Sequence, residues 1–154
     1  TYRGRIVMLY FGYTHCPDVC PTTLATLSQA LSKLGAAADK VRILFVTVDP
    51  QRDTPQLLKR YAEAFGPEFI GLRTDAPALR QLAKRYRVTY SLGKPDAHGN
   101  YEATHSSAVF ILTYREIRSN HHISSKFRVV SCRCLFFTTF PIHTFRSGQI
   151  SRIS

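Results

Sequence analysis

Residues 5–34 read RIVMLYFGYTHCPDVCPTTLATLSQALSKL and join two different hydrophobic patterns. Residues 5–13 form a continuous apolar, β-branched and aromatic run, which is typical of a short strand covered on both faces. In residues 22–34, leucines recur every three or four positions before Gly35, which predicts a helix with one buried stripe and a glycine stop. A buried strand followed by an amphipathic helix is the repeating unit of an α/β fold.

Two cysteines and two prolines lie between this strand and this helix. Pro21 cannot lie deep in a helix that begins at Pro17, because it lacks an N–H and clashes one turn back. We therefore expect a single turn from Pro17 and the main helix from Pro21, with Cys20 at its N-cap. The unpaired N–H groups there would lower the thiol pKa of Cys20. Cys16 lies across a short turn, so the pair can either converge on one soft metal ion or form a disulfide.

The alternation of strands and helices continues to about Thr113. The predicted elements are strands at residues 40–49, 69–72 and 106–113 and helices that begin at Thr54 and Asp75. Helix capping explains both Asp53 and Thr54. With 154 residues, 44% of them hydrophobic, the chain has the size of one domain. It contains no apolar run of about 20 residues that would span a bilayer. The pattern predicts one α/β domain with a mostly parallel central sheet flanked by helices.

Charge and composition change in the last quarter of the chain. The net charge is +11, yet residues 1–116 hold all ten acidic residues against fifteen Lys and Arg, whereas residues 117–154 hold six basic residues and no acidic one. The last quarter also lacks alanine. We expect a folded domain over residues 1–113 and an atypical, irregular basic tail over residues 114–154. The C-terminal elements of the domain would then be missing or disordered. The tail is either an aberrant translation or a divergent segment, and its charge alone does not predict a nucleic-acid partner.

Three segments carry a family resemblance: FGYTHCPDVCPTTL from residue 11, VTVDPQRDTP from residue 46 and YEATHSSAVFIL from residue 101. In this order they closely resemble the Sco/SenC/PrrC family of copper proteins, whose fold is thioredoxin-like. The resemblance implies that Cys16 and Cys20 are two copper thiolates and that His105 is the third ligand. Thiolates favour Cu(I), and an added imidazole allows Cu(II) as well. The resemblance gives Asp49 a secondary role near the site, linked to partner interaction.

The resemblance also implies a function. It predicts a metallochaperone that delivers copper to the copper centre of cytochrome c oxidase, with the copper-bearing oxidase subunit and other copper chaperones as partners. The expected location is the periplasmic face of the bacterial inner membrane, or the mitochondrial inner membrane, with a membrane anchor outside this chain. The alternative is a thiol:disulfide oxidoreductase that uses Cys16 and Cys20 as a redox-active pair, to reduce the cysteines of the oxidase copper site or to sense redox state. One residue more than C-x-x-C separates these cysteines, which favours metal binding.

Overall fold

A computed structural model describes residues 2, 4–98, 100–119, 122–133 and 144–145, with side chains as far as residue 112. The strands are β1 (Ile6–Gly12), β2 (Val41–Thr47), β3 (Phe69–Leu72), β4 (Tyr90–Leu92), β5 (Ala103–His105), β6 (Val109–Ser119), β7 (His122–Arg133) and β8 (Thr144–Phe145). The helices are α1 (Val19–Leu34), α2 (Pro55–Glu63) and α3 (Ala76–Tyr86), and a 3₁₀ helix, Gly35–Lys40, follows α1. Within these residues, no helix combines the length and apolar character needed to cross a membrane.

The strands form one large and one small sheet. The large sheet has the order β3-β2-β1-β6-β7-β8, in which β1, β2 and β3 run parallel and β6 runs antiparallel to β1. The small sheet is the antiparallel pair of β4 and β5. The predicted parallel centre is therefore confirmed. Because β1 is an inner strand of the large sheet, the loop that follows it lies at the C-terminal end of β1, in the middle of the sheet.

The core confirms that the first two strands are covered on both faces. Nearly every residue of β2 is buried, as expected for a parallel strand with helices above and below it. The largest fully buried side chains are those of Tyr10, Phe11, Phe45, Leu24, Ile43, Leu58 and Leu79. In contrast, the residues of β4 are partly or fully exposed. The two sheets therefore differ in how firmly packing fixes them.

The start of α1 differs from the prediction. The helix is continuous from Val19 with Asp18 as N-cap, so the separate turn from Pro17 and the main start at Pro21 are wrong. The first four N–H groups of a helix have no partner within it, so a proline in the first turn removes no hydrogen bond. The predicted stop is correct: Gly35 ends α1 with a φ of +53°, a conformation that favours glycine.

The chain beyond Thr113 also differs from the expected irregular tail. β6 continues to Ser119, and β7 pairs with it antiparallel from His122 onward. Residues 122–133 include two Val, one Ile and one Phe, which favour strands, and such a segment can satisfy its backbone by pairing with the open edge of a neighbouring strand. Residues 120–121, 134–143 and 146–154 lie outside the described residues. The division into a domain of residues 1–113 and a tail stays a prediction.

Candidate metal centre

The three residues that the resemblance names as ligands meet at one point. Cys16 lies in the loop after β1, Cys20 in the first turn of α1, and His105 at the end of β5. Their ligand atoms all lie within 4.8 Å of one another. Cys20 Sγ lies 3.1 Å from His105 Nε2. The fold thus brings together residues that are 85 positions apart in the sequence.

Cys20 is the buried member of the centre, with none of its surface exposed. A Cβ atom at Gly12 would lie 2.7 Å from Cys20 Sγ and 2.7 Å from Cε2 of Phe45, so only glycine leaves room for this thiol against β1. Burial raises the pKa of the Cys20 thiol to about 12. In the metal-free protein this cysteine is therefore a neutral thiol at physiological pH.

Cys16 is partly exposed and has the opposite electrostatic environment. Its Sγ accepts a hydrogen bond from the backbone N–H of Cys20 at 3.4 Å. Burial acts to raise its pKa, but hydrogen bonds from backbone N–H groups of Cys20, Asp18 and Val19 outweigh it, and the net pKa of Cys16 is lowered. The prediction of an activated thiol at Cys20 is therefore wrong. Cys16 Sγ lies just before the helix and accepts hydrogen bonds from backbone N–H groups at the start of α1.

His105 presents a neutral imidazole to the cysteines. Its Nδ1 lies 3.2 Å from the carbonyl oxygen of Ser106. This contact assigns the proton to Nδ1 and leaves the lone pair of Nε2 facing Cys20. Burial lowers the pKa of His105, partly offset by this hydrogen bond. The ring also makes edge contacts with Tyr10 and Tyr13, at centroid distances of 6.0 and 5.9 Å.

Asp49 lies outside the group of converging ligand atoms. It is fully buried, pairs with Nε of Arg52, and accepts a hydrogen bond from the hydroxyl of Tyr101 at 2.7 Å. Nη1 of Arg52 donates to the carbonyl oxygen of Tyr101 at 2.9 Å. Tyr101 precedes His105 by four residues. Asp49 is therefore linked to the histidine side of the centre only indirectly, through its contacts with Arg52 and Tyr101. Its partner-related role stays a proposal.

Asp53 supports the cysteine side, which the sequence analysis missed. Its buried carboxylate accepts hydrogen bonds from the backbone N–H and the hydroxyl of Thr14, at 3.1 and 2.6 Å, and from the hydroxyl of Thr47. Helix capping is performed by Thr54 alone, whose hydroxyl accepts the N–H of Leu57. The capping role predicted for Asp53 is therefore wrong. No sequence signal links Asp53 to Thr14, because the pair is 39 residues apart.

The donor set fits a soft first-row metal ion. Metal–sulfur and metal–nitrogen bonds of about 2.0 to 2.3 Å place neighbouring ligand atoms on the order of 3 to 5 Å apart, as these atoms are. Thr104 directly precedes the histidine, and its hydroxyl lies 2.7 Å from that of Ser91 on β4. Thr104 thus joins β4 to β5, and the backbone at Ser106 orients the imidazole.

The fold and the site together define an α/β protein in which two thiols and an imidazole converge near the end of its central strand. The family model described as SCO1/SenC matches residues 1–126, and the chain belongs to this family. The thioredoxin-like fold is confirmed by its solved relatives. Bradyrhizobium japonicum ScoI with copper bound is 39% identical, with a TM-score of 0.67 over 72% of this chain and 70% of that one. Yeast Sco1 with copper bound is 32% identical, with a TM-score of 0.66 over 73% and 63%.

Among curated relatives, the mitochondrial SCO2 homolog of Bos taurus is 39% identical over 137 residues, covering 82% of this chain and 52% of the relative. A SCO2-like protein of Rickettsia felis is 34% identical over 71% of this chain and 54% of the relative. The chain therefore spans about half the length of the curated relatives that it matches.

Proposed function

We propose that the chain is a copper metallochaperone that holds one copper ion through Cys16, Cys20 and His105. The observation that carries the proposal is the convergence of two sulfur atoms and one imidazole nitrogen within 4.8 Å. The solved relatives described with copper bound support copper as the ion. By family membership, the proposed recipient is the copper-bearing subunit of cytochrome c oxidase, and other copper chaperones are the proposed donors.

The protonation states of the metal-free site determine how copper binds. Cys16 is the more acidic thiol, so its thiolate is the first ligand that a Cu(I) ion meets. Cys20 enters as a neutral thiol and releases its proton on coordination, because a thiol bound to a metal ion is deprotonated. His105 is already neutral and adds its Nε2 without losing a proton. Two thiolates suit Cu(I), and the imidazole extends the site to Cu(II).

Unequal exposure suggests how the ion leaves. Cys16 and His105 are partly exposed, whereas Cys20 is buried against β1. An incoming thiolate of a partner therefore reaches the ion from the side of Cys16 and His105, and transfer proceeds by stepwise exchange of ligands. The proposed location is the periplasmic face of the bacterial inner membrane or the mitochondrial inner membrane, consistent with mitochondrial and bacterial relatives.

Copper stoichiometry tests the proposal directly. The reduced full chain should bind one Cu(I) ion, and Cys16→Ser combined with Cys20→Ser should abolish this binding. The matched control is Cys132→Ser with Cys134→Ser, which removes the same number of thiols from the other cysteine pair. Full stoichiometry in the Cys16 and Cys20 variant, or its loss in the control instead, would contradict the assignment.

A thiol:disulfide oxidoreductase is the second candidate, favoured by the asymmetry of the two thiols. The Cys16 thiolate would attack a target disulfide and form a mixed disulfide, releasing one target thiolate. Cys20 would then give its proton to the departing target sulfur as it attacks Cys16 Sγ, which releases the second target thiol and leaves a Cys16–Cys20 disulfide. His105→Ala separates the two functions: dithiol exchange with a disulfide-bonded peptide should survive, whereas Cu(II) binding should weaken. A parallel loss of both would argue against separate activities.

A further inference from the structure

We infer that Arg52 is a positioning residue that fixes the histidine arm, residues 101–105, to the rest of the copper centre. The inference rests on the proposed function, since it concerns how the third ligand is held. Neither Arg52 nor Tyr101 is one of the three residues whose ligand atoms converge. Their role follows from what they connect.

The histidine arm needs an anchor because the small sheet gives little support. β5 spans three residues and pairs with β4, which also spans three. In the part of the chain that the structure describes, no strand of this pair joins the large sheet. An isolated two-stranded sheet is marginally stable in water. β6 begins at Val109, four residues after His105, and the side chain of Ala103 is buried, so the later part of the arm is held by the core. The start of the arm at Tyr101 therefore depends on side-chain contacts with the body of the domain.

Arg52 supplies such contacts from the loop between β2 and α2. Its Nη1 donates to the carbonyl oxygen of Tyr101 at 2.9 Å, and its guanidinium carbon lies 3.7 Å from the centroid of the Tyr101 ring. The same carbon lies 5.9 Å from the centroid of Tyr13, whose ring makes an edge contact with His105. The guanidinium thus contacts both the start of the histidine arm and an aromatic ring from the cysteine loop.

Asp49 fixes the orientation of this guanidinium. Its carboxylate is fully buried and binds both Nε of Arg52 and the hydroxyl of Tyr101. Mutual contacts among Asp49, Arg52 and Tyr101 therefore join the β2–α2 loop to the arm. Lysine cannot replace Arg52 here, because an ammonium group lacks the planar fork that stacks on a ring while donating in two directions.

The test compares Arg52→Lys with Arg73→Lys in the full chain, with Cu(I) and Cu(II) as separate probes. Arg73 is a matched control, because it binds the carbonyl oxygen of Pro50 in the same loop but is exposed. Arg52→Lys should weaken Cu(II) binding about tenfold or more, as loss of outer contacts to a metal site commonly does. It should also shift the thiolate-to-Cu(II) charge-transfer band, while Cu(I) affinity stays within about threefold of the wild type. Arg73→Lys should change neither quantity.

A second variant guards against a simple folding defect. Tyr101→Leu removes the stacked ring and the hydroxyl but keeps the backbone carbonyl, and it should shift the Cu(II) band in the same direction as Arg52→Lys. The inference is overturned if Arg52→Lys matches Arg73→Lys in Cu(II) affinity and spectrum. It is also overturned if both oxidation states weaken equally, in step with a lower melting temperature. If the wild type itself binds no copper, the proposed function fails instead, which is a different result.

Discussion

The two sides of the metal centre differ in how the fold supports them. The cysteine side follows β1, an inner strand of a six-stranded sheet, and Cys20 is fully buried in the core. The histidine side lies on a three-residue strand of a separate two-stranded sheet. Main-chain pairing and core packing therefore fix Cys20, whereas a backbone carbonyl and a few side-chain contacts fix the imidazole.

This difference predicts unequal behaviour of the two copper oxidation states. A thiol embedded in a close-packed core cannot move without disturbing many neighbours. An imidazole on a three-residue strand, held by one backbone carbonyl and by edge contacts with two tyrosine rings, can shift at a smaller cost. Changes on the cysteine side should therefore affect Cu(I) and Cu(II) alike, and changes on the histidine side should affect mainly Cu(II).

Among changes outside the ligands themselves, the largest effect is expected from Gly12→Ala, which crowds the cysteine side. The new Cβ would lie 2.7 Å from Cys20 Sγ, so the thiol must move, and Cu(I) affinity should fall by up to about 100-fold. Overpacking should also lower the free energy of unfolding by about 1 to 3 kcal/mol. Competition with a Cu(I) chelator and chemical denaturation measure the two quantities.

Gly71→Ala is the control for this crowding. Gly71 lies in β3, away from the copper ligands, and a Cβ atom there would lie 2.7 Å from Cγ of Leu58. It should destabilise the domain to a similar extent but leave Cu(I) affinity nearly unchanged. Equal losses of affinity in both glycine variants would show that Gly12 acts through general stability and not through Cys20.

A smaller effect is expected from Asp53→Asn, which weakens the support of the cysteine loop. An amide cannot accept all the hydrogen bonds that the buried carboxylate receives from Thr14 and Thr47, so about 1 to 3 kcal/mol of stability should be lost. Affinity for both copper states should fall about tenfold. Asp75→Asn is the control, since Asp75 caps α3 and asparagine also caps helices well.

The contradictory result for this pair of variants would be a selective loss of Cu(II) binding in Asp53→Asn. That outcome would place Asp53 on the histidine side, against its contacts with Thr14. Unchanged affinity for both ions would show that the loop holds Cys16 without Asp53.

The smallest effect concerns the two thiols themselves. Cys16 has a lowered pKa, whereas burial raises that of Cys20 to about 12. At neutral pH iodoacetamide should therefore label Cys16 in the Cys20→Ser variant on the order of tenfold faster than it labels Cys20 in the Cys16→Ser variant. As pH falls, Cys16 should keep its reactivity to a lower pH than an ordinary cysteine does. A faster reaction at Cys20 would contradict the pKa order.

Features that are local or periodic in the sequence could be predicted from it. The alternation up to Thr113 indicated the parallel sheet, and the spacing of Cys16 and Cys20 indicated that the pair could bind one ion. These features are local or periodic, so single-sequence patterns reveal them. His105 required the family resemblance, because an isolated histidine on a short strand carries no local signal of metal binding.

The sequence could not reveal the supports of the site. Asp53 stands directly before Thr54 and Pro55, where helix capping explains it, and its partner Thr14 lies in another segment. Arg52 and Tyr101 meet only after the β2–α2 loop and the histidine arm have been brought together. The order of thiol acidity depended on where α1 begins, and a proline in its first turn obscured that boundary.

The most direct test measures copper stoichiometry and X-ray absorption on the purified full chain and on His105→Ala, in both oxidation states. The wild type should bind one ion, with sulfur ligands for Cu(I) and an added nitrogen ligand for Cu(II). In His105→Ala, Cu(I) should remain bound by two sulfur atoms, while Cu(II) binding should weaken about 100-fold or more and lose the nitrogen ligand. Equal loss of both ions from a folded variant, or an unchanged Cu(II) spectrum, would contradict the Cys16, Cys20 and His105 centre.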